Sequence, residues 1–110
     1  MKIMPNEIQK ILRELKQGLR KIYGEKLKAV ILFGSYARGD AHPPDSDIDV
    51  MVVLKGEFNY REMDNLSSDF IADLCLEHDV LISWRLATET YFLQSGMPLM
   101  INVRREGVAI

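Results

Sequence analysis

Two apolar runs near the middle of this 110-residue chain enclose a polar loop that could hold an anion. The first run, 29–33, ends in Gly34-Ser35, and the second run follows after the loop. A glycine lets a phosphate approach the main chain closely, and a serine that heads a helix adds free amides that stabilise an anion. The pair therefore predicts a phosphate site, although Gly-Ser after a strand is also a common turn.

Asp47 and Asp49, at the start of the second run, predict a cation site beside the phosphate site. Residues i and i+2 of a strand project from the same face about 6.5 Å apart, so the two carboxylates repel each other unless a cation lies between them. Magnesium suits such a pair because it prefers few carboxylates together with water and phosphate oxygens. The alternative is a solvated turn followed by an edge-strand charge. However, Asp49 interrupts an apolar run in which an unpaired carboxylate is costly to bury.

A third carboxylate is expected on a neighbouring strand that faces the same way. Asp79 is the candidate, because it opens the predicted strand 79–84 much as Asp47 opens the strand before it. It could complete the metal site or take the proton from an attacking hydroxyl. Two alternatives stay open, namely that Asp79 is a helix-to-strand turn residue and that Glu77 is the carboxylate in question.

Helices and strands alternate along the chain. Apolar residues at helical spacing mark the long helices, and short apolar runs mark the strands. The predicted elements are a helix capped by Asn6 and ended by Gly24, strand Leu27–Phe33, a short helix Ser35–Arg38 with Ser35 as its N-cap, strand Ile48–Leu54, a helix from the Asn59 cap to about His78, strand 79–84, a helix over 88–94, and a last helix between Pro98 and Gly107. This order predicts an α+β (mixed α/β) fold, a small mixed sheet with helices packed on it, in a single domain of residues 1–110.

The charge distribution limits the classes of partner. Residues 1–28 carry eight Lys/Arg and three Asp/Glu, whereas residues 29–110 carry six and thirteen. So many carboxylates argue against a general nucleic-acid binder. The basic first helix is either a solvated face or a surface for an acidic partner. A single cysteine, no run of about 20 apolar residues and no signal-peptide pattern predict a cytoplasmic protein without a membrane segment.

The polar loop and its two aspartates resemble a known family. Gly34-Ser35, an eleven-residue gap and Asp47-x-Asp49, with Asp79 on a later strand, resemble the DNA-polymerase-beta-type nucleotidyltransferases. The strings Leu32 to Ala41 and Ser46 to Val50, and the C-terminal run from Pro98 to Val108, are similar to the minimal nucleotidyltransferases. These are known as antitoxins of HEPN–MNT toxin–antitoxin pairs. The gap is one residue longer than usual, and Pro43-Pro44 accounts for the extra residue.

The resemblance implies a nucleotidyltransferase fold and transfer of AMP from ATP, with pyrophosphate leaving. Asp47 and Asp49 would then bridge two magnesium ions, and Asp79 would hold the ion that activates the acceptor. The nucleotide-binding residues would be Gly34, Ser35, Arg38 and Ser46. The acceptor would be a hydroxyl of a partner HEPN ribonuclease toxin, most simply a tyrosine, in a hetero-oligomeric complex.

Two other functions remain compatible with the sequence. One is a binding module that neutralises the toxin by occlusion and does not use the site. The other is a stand-alone transferase that acts on RNA or a small molecule. The short chain leaves no room for a helical domain that would hold a small acceptor, and the acidic bulk disfavours RNA.

Overall fold

The computed structural model describes residues 5–43 and 45–110. Pro44, which the sequence assigns to the loop before Asp47, and residues 1–4 lie outside this description. The described elements are α1 Asn6–Tyr23, a 3₁₀ turn Gly24–Lys26, β1 Leu27–Phe33, α2 Ser35–Arg38, β2 Ile48–Leu54, α3 Tyr60–His78, β3 Ile82–Thr88, α4 Glu89–Gln94, α5 Pro98–Glu106 and β4 Val108–Ala109. The predicted α+β fold is confirmed.

The four strands form one mixed sheet in the order β3-β2-β1-β4. Strand β1 runs antiparallel to β2 and to β4, whereas β2 and β3 are parallel and are joined by the crossover helix α3. A parallel pair needs such a long connection, which is why a 19-residue helix separates β2 from β3. In β2, every residue is buried except Asp49, which is half-buried. A carboxylate therefore interrupts one of the two interior strands of the described sheet.

Each face of the sheet carries its own core. Helices α1 and α3 cover the first face, where Val30, Leu32, Val50 and Val52 are buried. Helices α4 and α5 cover the second face with a smaller cluster of buried residues: Ile31, Met51, Val53, Ala87, Met100 and Val103. Because side chains alternate along a strand, Asp49 belongs to the second face, together with Met51 and Val53.

Helices α1 and α3 lie side by side and run in opposite directions on the first face. Glu14 bonds to His78, Gly18 lies against the Phe70 ring, and the Tyr23 hydroxyl donates to the carbonyl oxygen of Met63 at 2.5 Å. A Cβ on Gly18 would collide with the far edge of that ring, so a larger residue here would require the Phe70 side chain to move. None of the described helices is long and apolar enough to cross a membrane.

The structure confirms several predicted boundaries and corrects three. Asn59 caps α3 by accepting the Glu62 amide, as predicted. Asn6 and Ser35 are not N-caps, because they are the first helical residues after Pro5 and Gly34.

The third strand does not begin at 79. Helix α3 closes there instead, and the strand runs from 82 to 88. The two-residue strand β4 has no counterpart among the predicted elements. It is too short for its sequence pattern to identify.

Candidate active site

The end of β1 and the start of β2 meet at Gly34 and Asp49. Phe33 pairs with Asp49 across the two strands, so the glycine that follows β1 lies directly beside the carboxylate. Gly34 has φ 74° and ψ −153°, a conformation that L side chains rarely adopt. A Cβ at this position would also collide with the Asp49 carboxylate. Both the backbone and the space around it therefore require glycine.

The helix α2 that follows Gly34 has a single turn. Its backbone bonds run from Arg38 to the Gly34 carbonyl and from Gly39 to the Ser35 carbonyl. The first amides of a helix have no partner within the helix itself, so those at and after Ser35 are available to an anion. Gly34 and Ser35 thus lie at a turn that could receive a phosphate, and their contact with a nucleotide stays a prediction.

The Asp47–Asp49 pair is electrostatically unfavourable without a cation. The pKa of the Asp49 carboxyl is raised first by its burial and then by the charge of Asp47, whereas Arg38 and Arg85 lower it. Burial and a neighbouring negative charge both disfavour the ionised form of Asp49, and a bound divalent cation would relieve both. The donor set therefore fits a hard cation such as magnesium, which takes oxygen ligands.

Arg38 connects three parts of the site. Its Nε donates to Asp40 at 3.2 Å, and its Nη1 donates to Glu106 at 3.5 Å. Its positive charge also acts on Asp49. The guanidinium is exposed, so it stands at the rim of the Gly34–Asp49 site, where a phosphate could reach it. Glu106, at the end of α5, is a contact of this site that the sequence did not predict.

Ser46 has a structural partner in the loop before β2. Its hydroxyl accepts the amide hydrogen of His42 at 2.8 Å, and its own amide donates to the His42 carbonyl at 3.1 Å. These bonds close the compact turn that leads the chain from α2 to Asp47. The predicted nucleotide contact of Ser46 remains a prediction, since its side chain already stabilises this turn.

Asp79 does not form a compact ligand cluster with the other two aspartates. It is the left-handed C-cap of α3, with φ 52°, and its side chain is exposed. It borders a depression of about 450 Å³ together with Ile8, Tyr36 and Ser46. Ile8 and Tyr36 belong to the core of the first face, whereas Asp49 belongs to the second. Asp79 also does not contribute to the raised pKa of Asp49.

Among the described residues, the three-ligand cluster that could hold a metal ion is not the predicted trio. Only Glu14, Glu77 and His78 have ligand atoms within 4.8 Å of one another. Asp47, Asp49 and Asp79 do not form such a set. The structure thus brings together two of the three predicted carboxylates. The third role remains a prediction.

Strand β3 supplies the residues that the sequence did not single out. The parallel register pairs Ser83 with Asp49 and Arg85 with Met51, so both point to the second face. Arg85 lies close enough to lower the pKa of Asp49. Alternation within the apolar run would have revealed Arg85 if the strand had been placed at 82–88.

Comparisons with known proteins agree with this geometry. A family model described as a nucleotidyltransferase domain matches residues 12–104. A relative from Methanocaldococcus jannaschii, which is named as a protein adenylyltransferase, is 39% identical over 77 residues. That match covers 70% of this chain and 76% of the relative.

Two solved structures have the same fold. One is a chain of a toxin–antitoxin complex with AMP-PNP, which is 24% identical with a TM-score of 0.59; the match covers 96% of this chain and 72% of that one. The other comes from a complex of the tri-AMPylated Shewanella oneidensis HEPN toxin with its MNT antitoxin. It is 18% identical with a TM-score of 0.51, and the match covers 94% of this chain and 70% of that one. The fold, the matched family model and the Gly34–Asp49 site lead to one conclusion: this chain belongs to the nucleotidyltransferase domain family, and it is a nucleotidyltransferase of the minimal, protein-adenylyltransferase-like type.

Proposed function

We propose that this protein transfers AMP from ATP to a hydroxyl group, most simply that of a tyrosine, on a partner HEPN ribonuclease toxin, and so acts as an antitoxin. The proposal places the protein in the cytoplasm, where such a toxin would act. It gives the nucleotide contacts to Gly34, Ser35 and Arg38 and the metal contacts to Asp47 and Asp49. The parts predicted for Ser46 and Asp79 stay predictions.

One observation carries the proposal, which is the contact between Gly34 and the Asp49 carboxylate. It places a turn that can receive a phosphate against a carboxylate that can share a cation with that phosphate. A phosphate and a carboxylate repel each other unless a cation joins them, so the two features make chemical sense only with a metal-bound phosphate ligand. Asp47 and Asp49 would hold magnesium, which supplies charge neutralisation for the polyphosphate when bound.

The proposed reaction is a single group transfer. The oxygen of the acceptor hydroxyl forms a bond with the α-phosphorus of ATP. The bond between that phosphorus and the oxygen bridging to the β-phosphate breaks, and pyrophosphate leaves with the electron pair. The hydroxyl proton passes to a base or to solvent. In this scheme, Ser35 and Arg38 stabilise charge on the phosphates, because an amide group and a guanidinium both favour oxyanions.

The partner is inferred from the likeness to the two toxin–antitoxin chains, which shows the fold alone. The name of the Methanocaldococcus jannaschii relative supports a protein acceptor more directly. The acceptor must present its hydroxyl to the second face of the sheet at the Gly34 end. A flexible chain terminus or a loop that carries a tyrosine fits this requirement.

The test combines this protein with ATP labelled on the α-phosphate, magnesium, and the product of the adjacent gene as the proposed HEPN-type partner. We expect label on the partner with the wild-type protein, none with Asp47→Ala/Asp49→Ala, and none when EDTA replaces magnesium. Mass spectrometry should find AMP on a tyrosine. The matched control is Glu25→Ala/Glu57→Ala, which removes two exposed carboxylates from the turns before β1 and after β2, at the ends of these strands away from Gly34 and Asp49, and should keep the activity.

Toxin neutralisation separates this reaction from simple occlusion. If the Asp47→Ala/Asp49→Ala protein neutralises the ribonuclease as fully as the wild type, then transfer is not how this antitoxin works. Label on RNA or on a small molecule, with none on the partner, would favour a stand-alone transferase.

A further inference from the structure

The outer surface of α1 and α3 carries two parallel stripes of opposite charge. On each helix the exposed residues lie four or three positions apart, a spacing that keeps them on one side of a helix. The basic stripe on α1 consists of Asn6, Lys10, Arg13, Gln17 and Arg20. The acidic stripe on α3 consists of Glu62, Leu66, Asp69, Asp73 and Leu76.

The charged side chains of both stripes could pair with charged groups of another molecule. Within residues 5–43 and 45–110, no ion pair involves a charged member of either stripe. The acidic stripe also exposes two large apolar side chains, since Leu66 is 58% and Leu76 is 81% accessible. A second protein that covered this face would remove these two leucine side chains from water, which is favourable.

The relative level of the two helices is fixed by their mutual contacts. Gly18 lies against Phe70, so in this antiparallel pair Arg20 stands at the level of Asp69. By the same spacing, Gln17 stands at the level of Asp73, and Arg13 stands at the level of Leu76. Three positions of one stripe therefore have a counterpart at about their own level on the other, and Arg20 and Asp69 have opposite charges.

We propose that this face is a homodimer interface, in which the basic stripe of one copy meets the acidic stripe of a second copy. A two-fold axis parallel to the helices keeps each residue at the same level along the helix axis. It also places α1 of one copy on α3 of the other. Arg20 then faces Asp69 of the second copy, and Arg13 covers Leu76 with its methylene stem. A two-fold axis perpendicular to the helices would instead place like charges on each other, so charge complementarity selects the first arrangement.

The result is an arrangement of four antiparallel helices between two sheets. The interface lies on the first face of each sheet, whereas Asp49 belongs to the second face. Dimerisation therefore leaves both active sites open, on opposite outer sides of the assembly. A dimer of this kind could present two transfer sites to partner molecules at once.

The size of the interface sets its expected strength. Two helices of 18 and 19 residues side by side cover roughly 27 Å by 20 Å, the low end for a specific complex. Much of the attraction is between exposed charges, which salt screens. We therefore expect a dimer with a micromolar Kd at about 50 mM salt that weakens at least tenfold at about 500 mM salt.

Charge reversal provides the decisive test. The first variant is Arg13→Glu/Arg20→Glu, and the second is Asp69→Arg/Asp73→Arg. Sedimentation equilibrium at low salt should show a dimer for the wild type and a monomer for each variant alone. An equimolar mixture of the two variants should regain the dimer, because an acidic α1 then meets a basic α3 and the unchanged stripes meet each other.

Two controls carry the same changes in net charge on surfaces away from the stripes. They are Lys26→Glu/Lys55→Glu and Glu25→Lys/Glu57→Lys, all at exposed turn residues, and both should dimerise like the wild type. Circular dichroism checks that each variant is folded. A wild type that stays monomeric at low salt, a reversed variant that still dimerises alone, or a mixture that remains monomeric would each overturn the proposed interface.

Discussion

Asp49 and Asp79 are both aspartates close to the start of a strand, yet their surroundings differ in every physical respect. Asp49 is half-buried in an interior strand and lies against a glycine at which a side chain would be strained and would clash. Asp79 is exposed and sits in the turn that ends α3. The left-handed conformation of Asp79 is one that Asp and Asn tolerate, so its residue type is explained by local backbone geometry alone.

The difference teaches that a carboxylate inside a buried strand is stronger evidence for chemistry than one before a strand. Burial makes the charge of Asp49 energetically unfavourable. Carboxylates in such surroundings occur preferentially at functional sites. No comparable cost attaches to Asp79. The following predictions test this contrast.

The largest expected effect is the loss of transfer activity in Asp49→Asn. The amide keeps the shape of the side chain but removes the charge that would share a cation with the phosphate. We expect the rate of AMP transfer to fall by roughly 10³-fold. Label transfer under single-turnover conditions measures it, and a variant that retains more than a tenth of the rate would place the site elsewhere.

Gly34→Ala should have the second-largest effect on the protein. It forces a side chain into a conformation reserved for glycine and against the Asp49 carboxylate. We expect the free energy of unfolding to fall by about 2–4 kcal/mol and activity to fall by about 10²-fold.

Gly56→Ala is the matched control for this change. Gly56 has φ 72° with open space around its Cα, so alanine there adds only backbone strain of about 1 kcal/mol. Equal losses in the two variants would mean that the contact with Asp49 contributes nothing. Urea denaturation measures both.

Asp79→Asn is expected to have a small effect. Asparagine accepts the left-handed conformation as readily as aspartate, so stability should be nearly unchanged. We expect activity within about tenfold of the wild type, because the Asp79 charge does not contribute to the raised pKa of Asp49. A loss as large as that of Asp49→Asn would assign Asp79 to the metal site after all.

The smallest expected effect is on thermal stability as a function of pH. The pKa of Asp49 is raised in the folded protein, so folded protein binds this proton more tightly than unfolded protein does. Stability therefore falls as pH rises through the range between the unfolded and folded pKa values, and it stays lower above that range. Asp49→Asn removes this loss.

Without magnesium, Asp49→Asn should raise Tm by a few degrees at about pH 7 and by almost nothing at about pH 3. Differential scanning calorimetry at both pH values measures the two differences. A gain that is the same at both would mean that the charge of Asp49 is not the cause. Added magnesium should narrow the difference at pH 7 by stabilising the wild type.

The sequence alone predicts much of the contrast between Asp49 and Asp79. It misses the position of the third strand and two residues near the site, for physical reasons. Strand β2 and the cap at Asn59 were predicted correctly because a strong apolar run and a capping residue are local signals. The third strand was misplaced because Val80 and Leu81 continue an apolar pattern while the chain is still leaving the helix.

Because of that error, the sequence did not identify Arg85. Arg85 and Ser83 lie on the same face as Asp49 only when the strand runs over 82–88. Glu106 reaches the site through a contact between residues far apart in the chain, which no local pattern encodes.

The adjacency of β1 and β2 has a consequence for folding. Gly34 and Asp49 are brought together by one antiparallel pair of consecutive strands, so their contact has a low sequence separation. Closing so short a loop costs little entropy, whereas β4 and β3 must be recruited from the distant C-terminal half. The nascent chain can therefore assemble its phosphate turn and central carboxylate before the rest of the sheet has formed.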